Sequence, residues 1–247
     1  MSRNRRVVLL LVTILISMLL QGCLYPKELR NENQQSARDG ILLVQNAVDE
    51  YQKQTQLLPI ITSDMDVPRY EKFRIDLELL KRRGVLGSSP DNAFEAGGTG
   101  TYLIIDEETD PKVRIMDLLT AQRVNDLTRA VDSYKRKQGS LPAAEEVYPG
   151  FYGIDEGAAG VRPSEVLSPF TGQPLSFMMD KEGRVYADYA PDIMQLVEKS
   201  EQRPTGKEKD LRPLLVESSF YVPVKSVAYI WKDNAPWPQA ESTPQSK

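Results

Sequence analysis

The segment AVDSYKRKQGSLP at residues 130–142 decides how this chain is built, because AVDEYQKQTQLLP at residues 47–59 matches it at six of 13 positions. About one agreement is expected by chance, so the pair points to an internal repeat. Each segment closes a helical pattern. Ile41, Val44, Val48 and Tyr51 fall at i, i+3, i+7 and i+10, and Val124, Leu127, Val131 and Tyr134 repeat that spacing. One apolar stripe at that period is an amphipathic helix. Pro59 and Pro142 end the helices, since the residue before proline leaves the α region.

Further along, the correspondence holds in order. Ile75-Asp76 matches Ile154-Asp155, Ser89-Pro90 matches Ser168-Pro169, and YLIID (102–106) stands against FMMD (177–180). Each unit then reads as a long helix, a Pro-marked turn, an irregular middle and a small antiparallel hairpin. In the second unit Leu175–Met179 and Arg184–Tyr189 flank the turn Asp180-Lys181-Glu182-Gly183; in the first, GTYLIID and KVRIMD flank residues 107–111. The segment 75–86 adds a short helix with Gly84 as its C-terminal cap. The predicted fold class is α+β: two tandem units, 37–117 and 118–192. A C-terminal helix (DIMQLVEKS) and an extended packing segment along the outside of the second unit follow over 193–231. A disordered tail is expected over 232–247.

A helix ending A-x-x-x-Y-x-x-x-x-G-x-x-P, then a loop and a Pro-Gly turn feeding a hairpin, resembles the globular part of type II secretion pseudopilins and type IV pilins. AVDSYKRKQGSLP and SPFTGQPLSFMMDKEGRVY carry that resemblance. The first unit shares the helix and, in SSPDNAFEAGGTGTYL, a degraded turn. Pilins assemble through a peptidase-processed protruding helix, and this chain begins differently.

Its start, RRVVLLLVTILISMLLQGC, joins a basic cluster (Arg3, Arg5, Arg6) to an apolar run over residues 7–20 and ends at Cys23, the only cysteine. A run of about 14 residues is short for a bilayer core that needs about 20 and has the layout of a secretory signal peptide, residues 1–22. Leu20-Gln21-Gly22-Cys23 resembles a bacterial lipobox. The resemblance implies signal-peptidase recognition through Leu20, Gln21 and Gly22, and it implies an N-palmitoyl, S-diacylglycerol Cys23. Two or three acyl chains anchor stably where one is reversible. The polar residues 23–36 read as a flexible tether, and the predicted location is the extracytoplasmic face of the cell membrane. The whole chain, including CLYPKE and SPFTG, resembles the YphF-type lipoproteins of spore-forming Gram-positive bacteria, which implies a location and no chemistry.

Composition narrows the function further. The chain carries 31 basic and 35 acidic residues. Without residues 1–22 the balance is 28 against 35, a net −7 that argues against nucleic acid and against electrostatic adhesion to anionic lipid. There is no histidine, which removes Ser-His-Asp and Cys-His catalysis and His-rich zinc sites. With one cysteine the fold is held by its packed core and not by disulfides. No cofactor, metal or catalytic residue is assigned.

The acids of DEETD (106–110), with Asp180, Glu182 and Asp188, are weighed as calcium ligands against their ordinary use in turns. Glu107 with Glu108, and Glu145 with Glu146, are weighed as paired acids, but neighbours on a strand face opposite ways. Tyr51 and Tyr134 read as core residues, and Tyr229, Trp231 and Trp237 as an exposed partner surface. The expectation is a non-enzymatic binding or structural lipoprotein, held to membrane lipid through Cys23, with an envelope protein as partner. A carboxylate-dependent envelope hydrolase and a solute-binding lipoprotein are the alternatives.

Overall fold

A computed structural model describes residues 25–200, 203–206 and 210–240. Cys23 and the Leu20-Gln21-Gly22 motif lie outside these residues. The chain divides into two compact units, residues 1–36 and 37–247. In the first unit the described residues are helical from Tyr25, the start of helix α1 (Tyr25–Thr55). This corrects the expected flexible tether over 23–36 from residue 25 on, residues 23 and 24 lying outside the described residues. Pro26 sits in the first turn, where its missing N–H is harmless, and no Gly or Pro interrupts the run before Gly40.

The second unit is α+β. After α1 come helix α2 (Leu77–Arg82), strands β1 (Gly100–Ile105) and β2 (Lys112–Asp117), and helix α3 (Leu118–Gln138). Strands β3 (Ala143–Tyr148), β4 (Phe151–Ile154), β5 (Ser176–Asp180) and β6 (Val185–Asp188) form an antiparallel meander in that order. Helices α4 (Ala190–Lys199) and α5 (Arg212–Ser218) and the hairpin β7–β8 (Tyr229–Lys232, Ala235–Pro238) complete it.

The two stretches that open the sequence argument take the same local geometry. Gly139 ends α3 in the left-handed region (φ 72°), and Gln56, at the aligned position, does the same after α1 (φ 60°). Asp155 N–H donates to Pro142 O at 2.8 Å, and Asp76 N–H donates to Pro59 O at 2.8 Å. Both aspartates then cap the turn that follows, Asp76 accepting from Leu79 N–H and Asp155 from Ala158 N–H. In the first half Ile60 bridges Ile75, Arg74 bridges Leu103, and β1 pairs with β2. The order of pairing therefore parallels β3-β4-β5-β6, with bridges in place of the first two strands. Strands β3 and β4 fall in what the sequence suggests is an irregular middle. β3 is exposed along nearly its whole length, so it has no apolar alternation to read.

Three apolar cores result. One packs α1 against α2 and the Tyr102, Ile104, Val113 and Ile115 face of β1–β2. A second packs α3, α4 and α5 against the meander through Leu127, Val131, Phe151, Met178 and Ile193. The third lies on the opposite face of β1–β2, where Leu103, Ile105 and Met116 meet Val216, Val222 and Val224.

That third core corrects the expectation for the C-terminal segment. Ile115 N–H donates to Phe220 O (2.9 Å) and Val222 N–H to Ile115 O (3.0 Å), so the segment runs parallel beside β2. Five residues on, Lys225 O accepts from Ala187 N–H of β6. The segment thus meets the outer edge of β2 and that of β6. It is also partly helical, because Pro213 enters α5 in its first turn, where proline is tolerated. The expected disordered tail from Lys232 is, up to Pro238, strand: Asp233 (φ 51°) and Asn234 (φ 60°) form the positive-φ turn that joins β7 to β8.

Candidate functional site

The turn between β1 and β2 and the loop that leads into the 74–76 bridge face each other across an open groove of about 420 Å³. Val67, Arg69, Lys72 and Phe73 line one wall, and Asp106, Glu107, Glu108 and Thr109 the other. The turn holds its shape locally. Asp106 takes a left-handed conformation (φ 53°), and its carbonyl oxygen accepts from Thr109 N–H (3.0 Å) and Asp110 N–H (2.9 Å). A charge pair crosses to the other wall, Arg69 Nη2 to Asp106 Oδ1 at 2.7 Å.

The remaining charged groups of the groove do not pair. Lys72 Nζ sits 5.5 Å from the centre of the Phe73 ring and reaches only Met65 O, at 3.4 Å. Among the described residues Glu107 and Glu108 have neither a hydrogen bond nor an ion pair. The segment leading to this wall carries Leu57, Ile61 and Met65, all exposed, Met65 at 93%. Ser63 Oγ donates to Lys72 O (2.6 Å) and so ties that segment to the groove wall.

The other acids singled out by sequence are organisers of turns and joints. Asp180 accepts from Glu182 N–H, Arg184 N–H, Arg184 Nε and the Tyr186 hydroxyl, which fixes the β5–β6 turn. Glu146 accepts from Gly150 N–H across the β3–β4 turn, and Glu145 is exposed beside it. Among the described residues no group of three His, Cys, Asp or Glu side chains is placed to hold a metal ion, so Asp106 to Asp110, Asp180, Glu182 and Asp188 are not brought together.

Asp188 and Asp192 form a second polar cluster, buried where β6 meets α4. Asp188 accepts from Ala190 N–H (3.0 Å) and the Tyr148 and Tyr229 hydroxyls (3.0 and 3.1 Å). Asp192 accepts from the Ser168 and Thr171 hydroxyls at 2.7 and 2.5 Å. Burial raises the pKa of both carboxyls, and these hydrogen bonds offset part of that rise. Ser168 belongs to the SPFTG segment, so this motif closes a joint around α4. Nothing local marks Asp192 beforehand, since an aspartate in the first turn of a helix is ordinarily read as a favourable charge at the helix start.

The aromatic surface expected at the C-terminus is corrected. Tyr229 is fully buried, because its hydroxyl serves Asp188 and Tyr189 N–H from inside the second core. Trp231 is half-buried against that core, and Trp237 lies edge-on to Tyr148 with Lys232 over its ring. Tyr51 is core, while its counterpart Tyr134 is only partly buried.

Among the described residues no helix is long and apolar enough to cross a membrane. No curated protein and no solved structure matches the chain. The YphF family N-terminal domain matches residues 37–117, the stretch from the first buried residue of α1 to the end of β2, and over that third of its length the chain is similar to the YphF family.

Proposed function

We propose that this chain is an extracytoplasmic lipoprotein that acts by binding at the cell envelope, with no chemistry of its own. The observation that carries the reading is the N-terminal sequence: a basic cluster, a short apolar run, and Leu20-Gln21-Gly22 before the only cysteine. In this reading residues 1–22 are removed and Cys23 carries a diacylglycerol and a palmitoyl group. The match of residues 37–117 to the YphF family N-terminal domain supports it through the family likeness. The engagement of Asp180, Glu146 and Asp188 in turns and joints favours binding over a carboxylate-dependent hydrolase.

Behind the anchor we read two tandem pseudopilin-like units that arose by duplication. The shared Asp-to-Pro hydrogen bonds and the aligned left-handed caps at Gln56 and Gly139 support this. A lipid then stands where pilin relatives use a polymerising helix.

Crosslinking pull-down of the lipidated protein from its own membrane, with the soluble chain from Ala37 as control, tests the binding role. Reproducible recovery of one envelope component is expected; recovery of nothing beyond the control would sink it. Acyl labelling tests the anchor: Cys23→Ala should abolish label and release the protein from the membrane fraction.

A further inference from the structure

We propose that the groove between residues 67–73 and the β1–β2 turn binds a short peptide through its free ammonium and free carboxylate. This rests on the binding role above and names the ligand class and the site. The observation is a set of opposite charges that share one groove without satisfying each other. Among the described residues Lys72 has no carboxylate partner, and Glu107 and Glu108 have no cation, although all three line the same space. Charges of both signs on the two walls of one groove are complementary to a molecule that carries both. A carboxylate against Lys72 and an ammonium against Glu107 and Glu108 complete two charge-assisted contacts in one orientation.

Size and lining agree. A volume of about 420 Å³ lies in the range of about 300–1,000 Å³ that takes a small organic ligand. A dipeptide or tripeptide spans at most about 7–11 Å fully extended. Phe73, its inner side packed on the first core, and Val67 offer an apolar floor for a side chain between the two termini. The Arg69–Asp106 pair joins the two walls and leaves the other charges unmatched. The site uses the part of the chain that matches the YphF family N-terminal domain.

The test uses the full lipidated chain in detergent and the probe Ala-Leu-Ala, titrated by calorimetry in four forms: free, acetylated, amidated, and blocked at both ends. The free peptide is expected to bind, and each block should weaken it by about tenfold, the effect of losing one charge-assisted contact. Lys72→Gln should erase the difference between free and amidated peptide while keeping the effect of acetylation. The joint change Glu107→Gln and Glu108→Gln should do the converse. These side chains are surface groups, so the fold is retained, as circular dichroism will verify. The proposal is overturned if no form binds at about 10 mM, tenfold above the millimolar scale, if blocking has no effect, or if the variants leave the discrimination intact. A failed titration alongside a successful membrane pull-down would remove this site and leave the binding role standing.

Discussion

Positions 56 and 139 make the same turn with different residues. The left-handed conformation costs an ordinary L-residue about 1–2 kcal/mol, and glycine escapes that cost while losing some chain entropy on folding. Gln56→Gly should therefore stabilise the protein by about 0.5–1 kcal/mol, and Gly139→Ala should destabilise it by about 1 kcal/mol. Nothing lies within 4 Å of a Cβ built at Gly139, so the second change reports backbone strain alone. Urea unfolding of the two variants measures both. Asp192 sets a pH dependence of definite sign. Its folded pKa is raised above the usual carboxylate value, chiefly by burial. Between the unfolded pKa near 3.8 and the raised folded one, the native state holds the extra proton. The stabilisation is present below that window and is lost as pH rises through the folded pKa. In thermal melts from pH 4 to pH 7, Asp192→Asn should flatten this decline; an unchanged slope would mean the carboxyl is not protonated in the native state.

The C-terminal segment is the element that most alters the picture drawn from the sequence. Val222 is fully buried in the third core, against the face of β1–β2 that α1 leaves uncovered. Val222→Ala should destabilise by about 2 kcal/mol. Hydrogen exchange should show the amides of β1 and β2 losing protection more than those of β5. Several elements were legible beforehand because each carries local signals: α1 and α3 by period, the β5–β6 hairpin by alternation around Asp-Lys-Glu-Gly, α2 by Gly84 after it. The rest was hidden for physical reasons. Strand β3 has no inward face to reveal. The partner of residues 220–222 lies about a hundred residues earlier, and such pairing leaves no local mark in the sequence. Tyr229 looked like surface because it sits in a Pro-flanked, aromatic stretch near the chain end, yet its hydroxyl is needed by Asp188. The groove was half visible: DEETD was a clear turn, but the wall formed by Arg69, Lys72 and Phe73 comes from a loop with no periodic pattern.

At the scale of the whole molecule, residues 37–247 form one compact unit with three cores, and the segment from α5 to β7 contributes to all of them. Elements shared in this way couple the cores, so unfolding should be a single transition. Fluorescence of Trp231, packed on the second core, and of Trp237, edge-on to Tyr148, should coincide with far-ultraviolet circular dichroism; a separated transition would mean that the two halves unfold independently. With a single cysteine in the chain, a reductant should leave the midpoint unchanged.

The pairing of Ile115 with Phe220 and Val222 also sets a clock. A chain made from its N-terminus forms β1 and β2 early, yet their sheet is finished only when residues 220–222 have been added. At ~5–20 residues per second, that delay is about 5–20 s. A long-range contact of this kind slows folding further. During that interval the outer edge of β2 has no partner, so a nascent chain halted before residue 220 should present it to other strands.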